Sequence, residues 1–227
     1  MANKPGKRYR ADIDGWDRYK PLPLDEAIQK LKTFKATKFD QSVDICMHLG
    51  IDAKQADQAV RGSVSLPHGI GVARRVIAFC KDDKVEPAKQ AGAVEAGGED
   101  LVKKIEDGWM EFDVAIASPD MMRVVSKLGR VLGPKGLMPS PKSGSVAPNV
   151  VDVVKEFAAG KVEFRNDASG NLQASIGKFG FELAQLTENA QAFVDTILRM
   201  KPASVKGVYV KKAAVSATMS PSVIIEL

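Results

Sequence analysis

Hydrophobic residues change their spacing twice along this 227-residue chain, and that double change constrains the fold more than any other feature. Before residue 67 apolar and polar positions alternate. Val43, Ile45, Met47 and Leu49 mark a half-buried strand, and Val64 and Leu66 mark a second. Pro67-His68-Gly69-Ile70-Gly71 then interrupts the pattern with residues that suit turns and not ladders. Beyond the break, Val76-Ile77-Ala78-Phe79 and Phe112-Asp113-Val114-Ala115-Ile116-Ala117 are compact apolar runs, as expected of strands covered on both faces. Helices are predicted between and after them: a short one from about Pro87 to Ala91, and one from Glu99 to Asp107 with Leu101, Val102 and Ile105 inward. A third opens at Ser118-Pro119-Asp120 and stops near Gly129, and a fourth runs from about Asn149 to Ala159. With Ala93-Val94-Glu95 as a further strand, the β-α-β-α-β-α alternation predicts a parallel α/β unit.

From Lys161 the spacing returns to alternation. Val162 and Phe164, then Leu172, Ala174 and Ile176, predict a hairpin turning through Asp167-Ala168-Ser169-Gly170-Asn171. A long helix is expected from about Phe181 to Met200, followed by strands at Val208-Tyr209-Val210 and Val223-Ile224-Ile225. Near the start, Pro21 and Pro23 precede an apolar stripe of Leu24, Ala27, Ile28, Leu31 and Phe34 at helical spacing. The charged first twenty residues, with Tyr9, Trp16 and Tyr19, read as an arm that docks elsewhere. No apolar core or cleavage site follows the basic start, so a secretory signal is not expected, and no apolar run approaches the ~18 residues of a membrane helix. Cys46 and Cys80 are expected to be reduced and buried.

The chain thus divides into an α+β domain made of residues 1–67 and 160–227, and an α/β domain of 68–159 inserted into it. The crossings at Pro67, His68 and Gly69 and at Ala159 and Gly160 would act as a double hinge. Charge follows the same division. Residues 68–159 hold 13 Lys+Arg and 13 Asp+Glu, so the formal net charge of +5 belongs wholly to the flanks. A basic domain is where a polyanion would bind.

Catalytic chemistry finds little to work with. Cys46 and His48 lie two apart on one strand face, but no second Cys/His pair accompanies them, so buried packing and not metal binding is expected. Gly69-x-Gly71 precedes a strand instead of following one, and no phosphate-loop motif occurs. An α/β enzyme using a nucleotide in the inserted domain is therefore the weaker reading; no cofactor or metal is expected. Nucleic-acid features are stronger. Lys35, Lys38 and Phe39 fall where the first helix gives way to a strand, pairing phosphate neutralisation with an aromatic face. Thr218-Met219-Ser220-Pro221-Ser222 is a polar loop preceded by Lys211 and Lys212, with hydroxyls and amides suited to RNA 2′-hydroxyls. Leu132-Gly133-Pro134-Lys135-Gly136-Leu137-Met138-Pro139-Ser140-Pro141-Lys142-Ser143-Gly144 packs three glycines, three prolines and two lysines into a shaped cationic loop.

That loop resembles the signature of the ribosomal protein L1 family, bacterial type. So do Val60-Arg61-Gly62-Ser63-Val64-Ser65-Leu66-Pro67-His68-Gly69, Asp107-Gly108-Trp109-Met110, Phe164-Arg165-Asn166-Asp167 and Ile176-Gly177-Lys178, and the likeness runs from Gly6-Lys7-Arg8-Tyr9 to the last strand. The resemblance implies a three-layer Rossmann-like α/β domain inserted into an α+β domain of split β-α-β type. It implies a non-catalytic constituent of the large ribosomal subunit, monomeric when free, cytoplasmic and ribosome-bound. Its partners would be the mobile stalk of large-subunit rRNA, the exit-site tRNA whose movement and release it assists, and its own operon mRNA, whose translation it represses. Carried over by motif, RNA contacts fall on Lys38, Phe39 and Ser42 and on Thr218, Met219 and Ser220, with Arg165 and Lys178 as further candidates. The family pattern is departed from at Ser220 and Gly180, which stand where glycine and serine are usual, and at Ala168, where a lysine is lost.

Overall fold

The computed structural model describes residues 6–226 except 36 and 56. The first elements are helix α1 (Lys7–Ile13), helix α2 (Leu24–Thr33) and strand β1 (Ser42–Leu49). β1 alternates half-buried and buried residues along its length, which is the signature of a strand with one face on a core. Strand β2 (Arg61–Val64) ends two residues earlier than the sequence suggests; Leu66 is buried, but its carbonyl closes a turn by accepting from Gly69 N at 3.1 Å.

The central segment follows with strand β3 (Val76–Phe79), helix α3 (Val85–Gln90), strand β4 (Ala93–Gly97), helix α4 (Glu99–Glu106) and strand β5 (Val114–Ala117). The single helix expected after Ser118 is instead broken. Short α turns α5 (Met122–Val125) and α6 (Gly129–Leu132) alternate with 3-10 turns, and the chain passes helically through Gly129, whose φ of −55° ends nothing. Helix α7 (Val150–Ala158) completes the segment. The three strands are parallel in the order β4-β3-β5, and every residue of β3 and β5 is buried. Ile77 and Phe79 pack on one side with α4, Val125, Leu128 and Leu132; Val76 and Ala78 pack on the other with Ala88, Val154 and Phe157. Helices therefore cover both faces, which is why these strands read as unbroken apolar runs. Each fully buried large apolar side chain contributes about 1.5–3 kcal/mol.

The chain returns through strand β6 (Val162–Arg165), strand β7 (Asn171–Lys178), helix α8 (Leu183–Arg199), strand β8 (Val210–Ala217) and strand β9 (Val223–Ile225). The antiparallel sheet runs β7-β1-β8-β9, so α8 connects two strands separated by β1, a split β-α-β arrangement. α2 and α8 cover one face, with Ile28 and Leu31 from α2 and Phe193 and Ile197 from α8 fully buried. Phe164 meets Phe193 edge-on at 5.6 Å between ring centroids.

Two further expectations are corrected. β6 and β7 do not form a hairpin: β6 pairs with β2, and β7 pairs with β1. The turn is present, closed by Asp167 N donating to Asn171 O at 2.9 Å, but the strands diverge into different sheets. The penultimate strand starts at Val210 and runs to Ala217, later and longer than the apolar triplet at 208–210 suggests, and Val208 is 71% exposed.

The described residues up to Gly71 and from Phe164 onward form one compact unit, and Val72–Glu163 form another. Pro67, His68 and Gly69 lie inside the first unit. Asn189, fully buried, accepts from His68 N at 3.1 Å and donates to Gly69 O at 2.9 Å and Ile176 O at 2.8 Å. Ala159 and Gly160 lie inside the second, as the C-terminal turn of α7. Gly160 takes φ 111° there and its N–H bonds Phe157 O at 3.2 Å, the glycine finish typical of helices. Val72–Glu163 carry 14 Lys+Arg and 14 Asp+Glu, so this unit is also formally neutral.

Candidate nucleic-acid interface

At one end of the antiparallel sheet β1, β7 and β8 deliver their terminal residues to one place. Ser42 opens β1, Lys178 closes β7, and Thr218 follows β8; the register pairs Ser42 with Lys178 and Val43 with Ala217. A shift in the β1–β7 ladder between Val43 and Asp44 sets this end apart from the rest of the sheet. Gly177 makes the bend possible. Its φ is +152°, and a Cβ there would lie 2.9 Å from the Phe181 ring and 3.0 Å from Leu186.

Hydrogen bonds lock the three strand ends together. Ser42 N donates to Thr218 Oγ1 at 3.1 Å, Thr218 N donates to Ser42 O at 3.1 Å, and Lys178 Nζ donates to Ser42 Oγ at 3.0 Å. Gln41, 3% exposed, accepts from Met219 N at 3.0 Å through Oε1 and from Phe179 N at 2.8 Å through its carbonyl. Phe39 stands beside this end on a short turn. Its carbonyl accepts from Thr37 Oγ1 at 2.7 Å, and its neighbour Asp40 accepts from Gly180 N at 3.3 Å. Phe39 is 53% exposed and Met219 is 50% exposed, so both present apolar surface next to this polar network. Lys38 is exposed on the same turn. The arrangement offers cations, hydroxyls, amides and an apolar face on one surface.

The structure thus gathers Lys38, Phe39, Ser42, Lys178, Thr218, Met219 and Ser220. Arg165 stands apart. It ends β6 next to the Asp167 turn, beside the opposite end of β1 where His48 faces Asn171, roughly 20 Å along the strand from Ser42. Two contributors were not among the residues singled out from the sequence. Gln41 carries no pattern signal, and its role depends on a bond to a residue 178 positions away. Arg8 donates Nη2 to Met219 O at 2.8 Å; only its place in a basic segment with Tyr9 hinted at a docking role. Residues 1–5 of that segment lie outside the described residues.

The departures from the family pattern are accommodated. Ser220 needs no left-handed backbone, since no residue other than glycine has positive φ among the described residues, and its Oγ accepts from Ala217 N at 2.9 Å. A Cβ on Gly180 would meet nothing closer than Asp40 Oδ1 at 3.8 Å, so either residue fits. Ala168 sits in the Asp167 turn, far from the gathered residues.

Cys46 is not buried as expected. It lies half-exposed on the uncovered sheet face as a free thiol, where burial still pushes its pKa up. His48 Nδ1 bonds Asn171 Oδ1 at 2.8 Å. The 132–144 loop is self-bonded: Ser143 and Ser145, both 1% exposed, meet at 2.9 Å, and Leu137 and Met138 pack against the β5 side of the core. Lys135 and Lys142 are exposed.

Two carboxylates link stability to acid. Hydrogen bonds from Asn171 hold the Asp167 pKa below the usual carboxylate value, and those from Arg75 do the same for Asp113. Depressed folded-state values give stability that is present above the unfolded value near ~3.9 and lost as pH falls through the folded values. Urea midpoints are expected to drop below about pH 4, and Asp113→Asn and Asp167→Asn should each make that drop shallower. An unchanged acid limb in both variants would contradict the assignment.

A three-layer parallel unit, inserted in sequence into a split β-α-β unit that carries one polar and cationic sheet end, is the architecture of a ribosomal structural protein of the L1 type. Residues 31–221 match the model of the Ribosomal protein L1p/L10e family, and the chain belongs to that family. It is similar to the large ribosomal subunit protein uL1 of Rhodopirellula baltica, 57% identical over 220 residues covering 97% of each chain. It is likewise similar to uL1 of Nitratidesulfovibrio vulgaris, 50% identical over 218 residues (96% of this chain, 93% of the relative), and of Chlorobium chlorochromatii, 47% identical over 222 residues (98% and 97%). The protein is a structural constituent of the large ribosomal subunit.

Proposed function

We propose that this chain holds the mobile stalk of large-subunit rRNA through the terminal unit. The observation that carries the proposal is the convergence of Phe39, Ser42, Lys178 and Thr218–Ser220 at one sheet end. That end belongs to the unit holding all of the net positive charge. Phosphates would meet Lys38 and Lys178, bases or sugars the exposed Phe39 ring, and 2′-hydroxyls the Thr218 loop. Family membership supports the rest of the reading: assistance in movement and release of deacylated tRNA from the exit site, and repression of the chain's own operon through a stalk-like mRNA element. The free protein would be a monomer, working on cytoplasmic ribosomes. Pro67–Gly69 and Ala159–Gly160 flank the crossings at which a hinge would serve these motions.

A titration of stalk RNA against the full chain at several salt concentrations tests the proposal. Lys178→Ala is expected to reduce the salt slope by about one unit. Thr218→Ala should weaken binding by about 1 kcal/mol, roughly fivefold, without changing the slope. Wild-type affinity and slope in both variants would remove this surface from the interface. Titrating the mRNA element at one of those salt concentrations compares the rRNA and repressor roles directly.

A further inference from the structure

Helix α1 borders the same surface. Arg8 reaches the Thr218 loop through Met219 O at 2.8 Å, and Asp12 Oδ1 accepts from Lys35 N at 3.3 Å, just ahead of the Lys38–Phe39 turn. Four residues separate these anchors, about 6 Å of helix rise, so one turn of α1 touches both parts of the site. The acidic anchor is engaged at the Lys35 side, while Lys7 is exposed and Arg8 half-exposed at the Met219 side. Gly6, Arg8, Tyr9 and Met219 also line one shallow, mostly apolar groove. A guanidinium carries five N–H donors, so the bond to the Met219 carbonyl leaves capacity for a phosphate.

We infer that α1 is part of the RNA-binding face, with Lys7 and Arg8 each neutralising a backbone phosphate and Arg8 also fixing the Thr218 loop through the Met219 carbonyl. The inference rests on the stalk-RNA reading above and extends it to a segment that none of the gathered site residues occupies. RNA backbone is the occupant favoured by charge and by continuity: the helix offers cations beside a surface already lined by Lys38 and Lys178. The groove between Tyr9 and Met219 would take a sugar at that edge.

The test uses the full chain and a stalk-RNA fragment, with Kd read across a salt series. Lys7→Ala is expected to lower the salt slope by about one unit and weaken binding severalfold at low salt. Arg8→Ala should lower the slope by about one unit and weaken binding more than Lys7→Ala at every salt concentration, because the loop also loses its anchor. Arg8→Lys should restore the slope but only part of the affinity, since an ammonium lacks the planar fork. Thermal unfolding run alongside keeps these effects separate from misfolding. Weaker binding by Arg8→Ala with the wild-type slope would mean that Arg8 only braces the loop, and the phosphate role would fall. Wild-type slope and affinity for both Lys7→Ala and Arg8→Ala, while Thr218→Ala still weakens binding, would overturn the inference and leave the stalk reading standing. If Thr218→Ala and Lys178→Ala were also without effect, the stalk reading itself would fail.

Discussion

An Asn189→Leu chain is expected to lose about 3 kcal/mol of stability, the cost of leaving several buried backbone groups unpaired. Leucine matches asparagine closely in size but offers neither donor nor acceptor. In the native protein one buried amide serves His68 N, Gly69 O and Ile176 O, tying the exit from β2 to the C-terminal half of β7. Scanning calorimetry should show the transition of the terminal unit falling by roughly 10 °C. The same change should leave the transition of Val72–Glu163 in place, because Asn189 bonds only within its own unit. A shift of less than about 2 °C would show that water or a local rearrangement replaces all three bonds. His68 has a second attachment, with Nε2 2.7 Å from Glu188 Oε2; at an exposed position that pair contributes little, so the amide dominates.

Phe39→Ala should be the most damaging single change to RNA binding that leaves the fold intact. Stacking of a base on an aromatic ring is worth about 1–3 kcal/mol, so Kd should rise roughly 5- to 150-fold. The ring is more than half exposed and contributes little to the core, so the unfolding temperature should hold. No charge is lost, and the salt slope should match the wild type. Phe39→Tyr should retain nearly full affinity. Unchanged Kd in Phe39→Ala would mean that the exposed ring faces solvent in the complex, and the contact surface would have to centre on Lys178 and the Thr218 loop.

Elements whose burial follows from local sequence were readable at once. Val76–Phe79 and Val114–Ala117 are apolar without interruption because both their faces are covered, and β1 alternates because only one of its faces is. The charge division was equally plain, since counting residues needs no coordinates. What failed was inference from proximity in sequence to proximity in space. Val162–Phe164 and Leu172–Ile176 flank a well-formed turn, yet they pair with β2 and β1 because those partners bury Phe164 against Phe193 and Leu172 against the sheet's covered face. The helix after Ser118 also departs from the sequence reading: Val125, Leu128 and Leu132 stand at helical spacing and share one core face, yet 3-10 turns interrupt the chain between them.

The site shows the same boundary. Phe39, Lys178 and Thr218 could be picked out singly by residue type and motif, and the family to which they point was legible from short segments alone. Their meeting could not be, because it depends on register: Ser42 opposite Lys178, Val43 opposite Ala217, and a Gly177 bend that an L side chain would resist. Gln41 and Arg8 entered only once the chain was folded, as each acts through a bond to Met219. By itself, then, the order of residues determined the layer architecture, the neutral and basic units and the family, all of which rest on patterns spanning a few neighbours. Tertiary structure alone decided which strands pair, which amide braces the loop and where cations, hydroxyls and an exposed ring share one surface. The pairings of β1 with β7 and β8, and the bonds that Gln41 and Arg8 make to Met219, join residues more than a hundred positions apart, and no local propensity encodes them.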